Sequence, residues 1–219
     1  MSDAEDPVRR SIRESLAKGD ATGWFEQIYA RADSGEGVIP WARYAPAPEL
    51  THWLSTHKPA TENKRALVVG CGTGDDAEAL AGAGFQVTAF DIAETAIAMC
   101  KQRFPKSRVD YQVADLFQLP PTWAQSSDLV LESRTIQALP WQYSDLAMAA
   151  IATQVVPGGM LLVFCLGREP EEDRRGIPWA LSRDELADFL KYGLVEQQFE
   201  EYSEGSGRRF CVEYRRVAV

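Results

Sequence analysis

Three glycines, Gly70, Gly72 and Gly74, alternate with Cys71 and Thr73 behind the apolar run ALVV and ahead of an alanine-rich helical segment. Positions without a side chain let a backbone turn sharply and approach a ligand closely. The helix behind such a turn aims its free amide groups at whatever the turn holds. A loop of this form also joins strand to helix with no ligand at all, so its neighbours decide. The run FQVTAFD ends in Asp91, about 20 residues past the glycines, where a strand-end carboxylate in a βαβ unit accepts hydrogen bonds from both ribose hydroxyls. Aspartate also suits the N-cap of the helix that follows, and the two roles coexist.

The kind of nucleotide follows from what surrounds the glycines. No lysine follows them, so the phosphate cradle of an ATP- or GTP-hydrolysing site is absent. The third glycine comes one position early for a dinucleotide fingerprint, and Asp75 and Asp76 stand behind it. Two carboxylates at a helix start repel a pyrophosphate and suit a cationic ligand. S-adenosyl-L-methionine, with its sulfonium and ammonium groups, meets that requirement. An NAD-dependent oxidoreductase shares the loop and the Asp91 logic and stands as the alternative, beside a non-catalytic cofactor-binding adaptor.

VVGCGTGDDA, the strand-end FDI, the later VADL and the PGG of VVPGGMLLVF resemble, in order and spacing, the motifs of class I S-adenosylmethionine-dependent methyltransferases. WFEQIYARAD and VIPWARYAPAPEL are similar, more loosely, to the thiopurine and thiol methyltransferase-like branch, whose N-terminal segment folds over the cofactor. The resemblance implies that Gly70, Cys71, Gly72 and Gly74 line the methionine moiety, that Asp91 holds the ribose and that Ile92 lies under the adenine. It further implies that Asp115 accepts from the adenine amino group, with Leu116 packed nearby. Glu132 and Ser133, ending SDLVLES, fall where the fourth strand opens onto the methyl-transfer site. The plainer roles are a turn cap for Asp115 and a solvated strand end for Glu132. S-adenosyl-L-homocysteine would be the product.

The acceptor pocket must come from loops above the strand ends: the segment of Trp41, Arg43 and Tyr44, the segment Ser133 to Trp141, and the segment Gly167 to Ala180. Trp41 is counted with the cofactor contacts, and Tyr44, Arg134, Arg168 and Trp179 with the substrate. Aromatic walls exclude water and arginines hold anions, although tryptophans also cover cores and arginines also sit at surfaces. Methyl transfer is an in-line displacement, so alignment matters most. A thiolate needs no base, whereas a hydroxyl or amine does, and Glu132, His52 and His57 are the candidate bases. ESRT stands where the branch that methylates amide or nucleobase nitrogens carries [DN]-P-P-[YF]. The expected acceptor is therefore a small molecule, with sulfur ahead of oxygen and nitrogen through the N-terminal resemblance alone.

These residues need a frame. RALVVG, FQVTAF, VDYQVA, SDLVLE and MLLVFC are short apolar runs of the buried parallel-strand type. Helices are expected at Pro7 to Lys18, Thr22 to Ala32, Glu49 to His57, Asp75 to Gly82, Ala93 to Phe104, Gln142 to Val155 and Ser182 to Tyr192. LVEQQFEEYS and RRFCVEYRRVAV, joined by EGSG, read as a hairpin. The expected fold is α/β: a Rossmann-like, doubly wound, mostly parallel seven-stranded sheet with an antiparallel C-terminal hairpin. Residues 1–60 would form a helical cap over the cofactor site and 61–219 the core, within one domain.

At 219 residues the chain can bury one sizeable core, and 45% hydrophobic with 25% charged residues is ordinary globular composition. A net charge of -9 opposes a nucleic-acid partner; the pair Arg174 and Arg175 does not reverse it. The start MSDAEDPVRR has no secretory pattern and no apolar stretch reaches membrane length. Four scattered cysteines read as reduced thiols. A cytoplasmic enzyme with a small-molecule acceptor is expected, with no metal, membrane or obligate protein partner. Cys71 is read as a small residue beside a ligand, since no histidine near in sequence activates it.

Overall fold

A computed structural model describes residues 7–174, 176–204 and 207–218. Seven strands form one sheet in the order β3-β2-β1-β4-β5-β7-β6. They are β1 (Arg65–Val69), β2 (Gln86–Asp91), β3 (Asp110–Val113), β4 (Ser127–Ser133), β5 (Val155–Gly167), β6 (Leu194–Glu204) and β7 (Gly207–Arg216). The first five pair in parallel, and β7 runs antiparallel to both β5 and β6. The helices are α1 (Pro7–Ala17), α2 (Gly23–Asp33), α3 (Pro48–His57), α4 (Asp75–Gly82), α5 (Glu94–Arg103), α6 (Ser144–Thr153) and α7 (Arg183–Leu186).

Strand periodicity explains the two layers of core. Leu67 and Val69 of β1 point to one face with Val130, Leu161 and Val163, under Met148 and Ile151 of α6. Ala66 and Val68 point to the other with Leu129, Leu131 and Leu162, under Leu80 of α4, Ile97 of α5 and Trp53 of α3. Both faces are buried, so the parallel strands read as continuous apolar runs. The expected doubly wound sheet and its C-terminal hairpin strands are present; Gly205 and Ser206, like Arg175, lie outside the described residues.

Local signals set the helix ends. Asp75, Asp76 and Glu78 occupy the first turn of α4, where the helix dipole favours them. Ser182 and Glu185 form a capping box on α7. The expected helix over 182–192 is split, however: α7 ends at Leu186 and a 3-10 segment runs from Ala187 to Tyr192. The expected helix at 142–155 starts at Ser144, after a 3-10 turn over Trp141–Tyr143, and Val155 already belongs to β5. Thr153 and Gln154 give their carbonyls to Gln125, Ser126 and Ser127 instead. No helix among the described residues is long and apolar enough to cross a membrane.

Candidate active site

A cleft of about 260 Å³ opens above the carboxyl ends of the parallel strands, where open α/β sheets bind ligands. Its floor is the glycine loop. Gly70 has φ 56° and Gly74 has φ 87°, a left-handed region that costs a residue with a Cβ roughly 1–2 kcal/mol. A Cβ on Gly70 would also meet the Thr135 hydroxyl at 2.6 Å, and one on Gly74 the Tyr111 hydroxyl at 2.7 Å. Thr135 donates to the Val69 carbonyl at 3.0 Å, so the β4 loop rests directly on this turn.

Gly70, Cys71, Gly72, Asp91, Ile92, Asp115, Leu116, Ser133 and Trp41 all line the cleft, as do Arg43 and Arg134. Asp91 is buried and both its oxygens are used, one by the Gly72 amide at 2.9 Å and one by the Ala93 amide at 3.0 Å. Burial raises its pKa. Asp115 accepts from the Phe117 amide and from Gln118, each at 2.9 Å, so it caps a 3-10 turn as well as facing the cleft. The Cys71 thiol is pushed well above its ordinary value by its hydrogen bond with Cys100 and by burial, which suits a packing role rather than a nucleophile.

The acidic pair behaves differently from its reading in the sequence. Asp75 is held by Arg103 at 2.8 Å and accepts from Thr73 at 2.7 Å. Burial pushes its pKa up, but those two bonds outweigh it and the pKa falls below the ordinary value. Asp76 takes the Ala47 amide at 2.7 Å, and burial raises its pKa. One of the two charges is therefore already neutralised by the protein itself.

Five expected contacts fall elsewhere. Glu132 does not open onto the cleft: it follows Val130 by two residues, shares its buried face and is fully enclosed. One oxygen accepts from the Ile136 amide at 3.0 Å and the other has no partner among the described residues. Burial lifts its pKa to about 7. Arg168 lies outside the cleft lining; its guanidinium reaches the carbonyls of Glu169, Pro170, Glu172 and Ala180 and the carboxylate of Glu185. Trp179 is outside the lining, and Ile177 and Pro178 take its place. Tyr44 is exposed, with its ring under Arg103 at 4.9 Å. Gly74 caps α4 behind the cleft. Arg134 does line it, but is paired to the buried Glu49 of α3.

The cap supplies residues that motif reading missed. Trp24, Phe25 and Tyr29 of α2 line the cleft, and the (i, i+4) spacing of Phe25 and Tyr29 is the one signal the sequence carries for them. Trp41 donates to the Tyr29 hydroxyl at 2.9 Å and meets Trp24 and Phe25 edge-on, tying the cap loop to the helix. Glu26 fixes α2 to α5 by accepting from the Thr95 amide at 3.0 Å. Neither histidine lines the cleft; both lie on α3, and His57 stacks on Trp53 beside Glu213. Among the described residues no cluster is fit to hold a metal ion, and all four cysteines are free.

The donor set fits an adenosyl cofactor. Clash-limited glycines leave room along the turn, carboxylates stand at the ends of β2 and β3, and the wall opposite is aromatic.

The comparisons agree with this geometry. A family described as methyltransferase domain matches residues 67–163. A probable thiol methyltransferase 2 of Arabidopsis thaliana is 30% identical over 173 residues, 77% of this chain and 71% of the relative. A ubiquinone biosynthesis O-methyltransferase of Bordetella avium is 29% identical over 57% of this chain and 52% of its own length, so the chain spans about half of that relative. The N-methyltransferase NodS of Bradyrhizobium japonicum, solved with S-adenosyl-L-homocysteine, superposes with a TM-score of 0.64 at 18% identity, covering 96% of this chain and 99% of that one. Sheet order, cleft and sequence relatives together place the protein: it belongs to the class I S-adenosylmethionine-dependent methyltransferases, and its cofactor is S-adenosylmethionine.

Proposed function

We propose that this methyltransferase acts on a small-molecule thiol or related soft nucleophile. The observation that carries this reading is the state of the carboxylates facing the cleft, each already bonded within the protein. Asp75 is bound by Arg103, Asp76 by the Ala47 amide, Asp91 by two amides, and Asp115 by an amide and Gln118. Glu132 is sealed beneath the floor and both histidines lie outside the lining. A thiolate needs no base among these, whereas a phenol or amine loses the roughly 10²-fold that a positioned base supplies. The thiol methyltransferase relative supports the same acceptor.

In this reading residues 1–60 cap a core of 61–219 within one domain. Gly70, Cys71 and Gly72 hold the methionine end of the cofactor, Asp91 the ribose, Ile92 and Leu116 the adenine faces, and Asp115 its amino group. Bound S-adenosylmethionine supplies an electrophilic methyl carbon. Trp24, Phe25, Tyr29 and Trp41 exclude water around it. The acceptor enters at the ends of β4 and β5, where Ser133, Ala138, Leu139, Ile177 and Pro178 line the cleft. The relatives described above are methyltransferases, which favours this reading over the dinucleotide and adaptor ones. S-adenosylhomocysteine release from benzenethiol, phenol and aniline tests the assignment: benzenethiol should react about 100-fold faster. Faster turnover of phenol or aniline would overturn it.

A further inference from the structure

Gln137 is fully buried in the loop that follows β4, yet no catalytic or cofactor role reaches it. Its side chain spans two segments about 30–40 residues away in sequence. The amide oxygen accepts from the Leu166 amide at 2.7 Å, and the amide nitrogen donates to the carbonyls of Leu166 at 3.0 Å and Trp179 at 3.1 Å. Its own carbonyl accepts from the Trp179 amide at 2.7 Å. The side chain thus makes three hydrogen bonds and the main chain a fourth, all to the end of β5 and the loop over the cleft.

Directly beside these bonds lie the residues facing the acceptor. Ala138 and Leu139 follow Gln137 in one loop, and Ile177 and Pro178 precede Trp179 in the other. We infer that Gln137 is a positioning residue: it locks the two loops into one apolar wall against which the acceptor is aligned. This rests on the acceptor entering at β4 and β5, as proposed above. Glutamine suits the task because it offers a donor and an acceptor without charge. The floor of the cofactor half, by contrast, is held by Asp91 and the glycine turn, which Gln137 does not touch.

The test measures binding of benzenethiol and phenol to the complex with S-adenosylhomocysteine, alongside calorimetric affinity for S-adenosylhomocysteine itself. Gln137→Glu keeps the acceptor oxygen but, when ionised, turns a carboxylate on the two carbonyls. When protonated it can donate again. Burial raises carboxyl pKa values, and Glu132 beneath the same loop ionises near 7, so wild type is measured at each pH as the reference. Arg168 and Glu185, which frame the loop, are paired with each other.

Phenol binding to Gln137→Glu should be about tenfold weaker than wild type near pH 8 and recover to within about threefold near pH 6. Affinity for S-adenosylhomocysteine should stay within about twofold at both. Ile177→Ser, in a half-buried loop position whose loss leaves the core intact, should weaken both ligands severalfold with the same unchanged cofactor affinity. Parallel loss of S-adenosylhomocysteine binding, unchanged phenol binding in both variants, or no binding of either ligand to wild type would overturn the inference. Binding by phenol and benzenethiol alike, with phenol methylated faster, would sink the thiol assignment and leave Gln137 in its role.

Discussion

At the ends of β1, β2 and β3 the cleft is shaped by backbone: left-handed glycines, amides turned onto Asp91 and a 3-10 turn capped by Asp115. At the ends of β4 and β5 it is shaped by buried side chains, with Glu132, Gln137 and Arg168 each gathering main-chain groups from loops that irregular backbone leaves unpaired. The first construction is fixed by backbone conformation. The second depends on side chains, and through Gln137 on contacts between segments about 30–40 residues apart, so its shape can change through one side chain. That division matches the chemistry, because the methyl donor is common to the family while acceptors differ.

Four substitutions press on this contrast, beginning with the largest effect. Gly74→Ala combines φ 87° with a Cβ 2.7 Å from the Tyr111 hydroxyl and 2.9 Å from the Cys100 sulfur. Denaturant unfolding should show a loss of about 4 kcal/mol, the sum of strain and overpacking. A loss below about 1 kcal/mol would mean that the turn is not conformationally fixed. Glu132 comes next. Its carboxyl ionises near 7 in the folded protein against an ordinary 4.5, so the contribution of this group to folding stability is greatest in acid and falls as the pH rises through that window. Glu132→Gln should therefore be more stable than wild type by about 3 kcal/mol near pH 8 and no more stable near pH 4. Equal stability at both would show that the carboxyl finds a partner when ionised.

Asp91→Ala removes the strand-end carboxylate and should weaken S-adenosylhomocysteine binding about tenfold or more, roughly 1.4 kcal/mol, in calorimetry. Unchanged affinity would take the ribose away from Asp91 and undo the cofactor half of the contrast. The smallest effect belongs to Asp128→Asn, at the opposite end of the sheet. It loses the Lys64 pair at 2.8 Å, half exposed on the lysine side, and should cost about 0.5 kcal/mol with cofactor affinity intact. Any change in acceptor binding would show that the halves communicate through the strands.

The same division governs what the sequence disclosed. Parallel strands were legible because both faces bury apolar side chains, and the glycine turn because its conformation tolerates few residue types. Asp91 and Asp115 were legible as strand ends. Glu132 was misplaced because a strand-end carboxylate looks alike whether it faces a ligand or is folded under a loop; only the two-residue alternation with Val130 hints at the latter. Arg168, Trp179 and Tyr44 stand outside the cleft lining for a related reason. Loop side chains follow no periodicity, and their partners, such as Glu185 for Arg168 and Arg103 for Tyr44, are set by tertiary packing. Gln137 escaped notice because an isolated glutamine carries no spacing signal.

The outer margins of the sheet carry a consequence of their own. An exposed strand edge is a template on which another chain can add. Here β3 is only four residues long, and β6 carries Glu196, Glu200 and Glu201 with a register shift between Glu196 and Gln198. Short length on one side and a kink on the other limit self-templated addition at the two margins of the sheet. The net charge of -9 adds a general repulsion between copies of the protein.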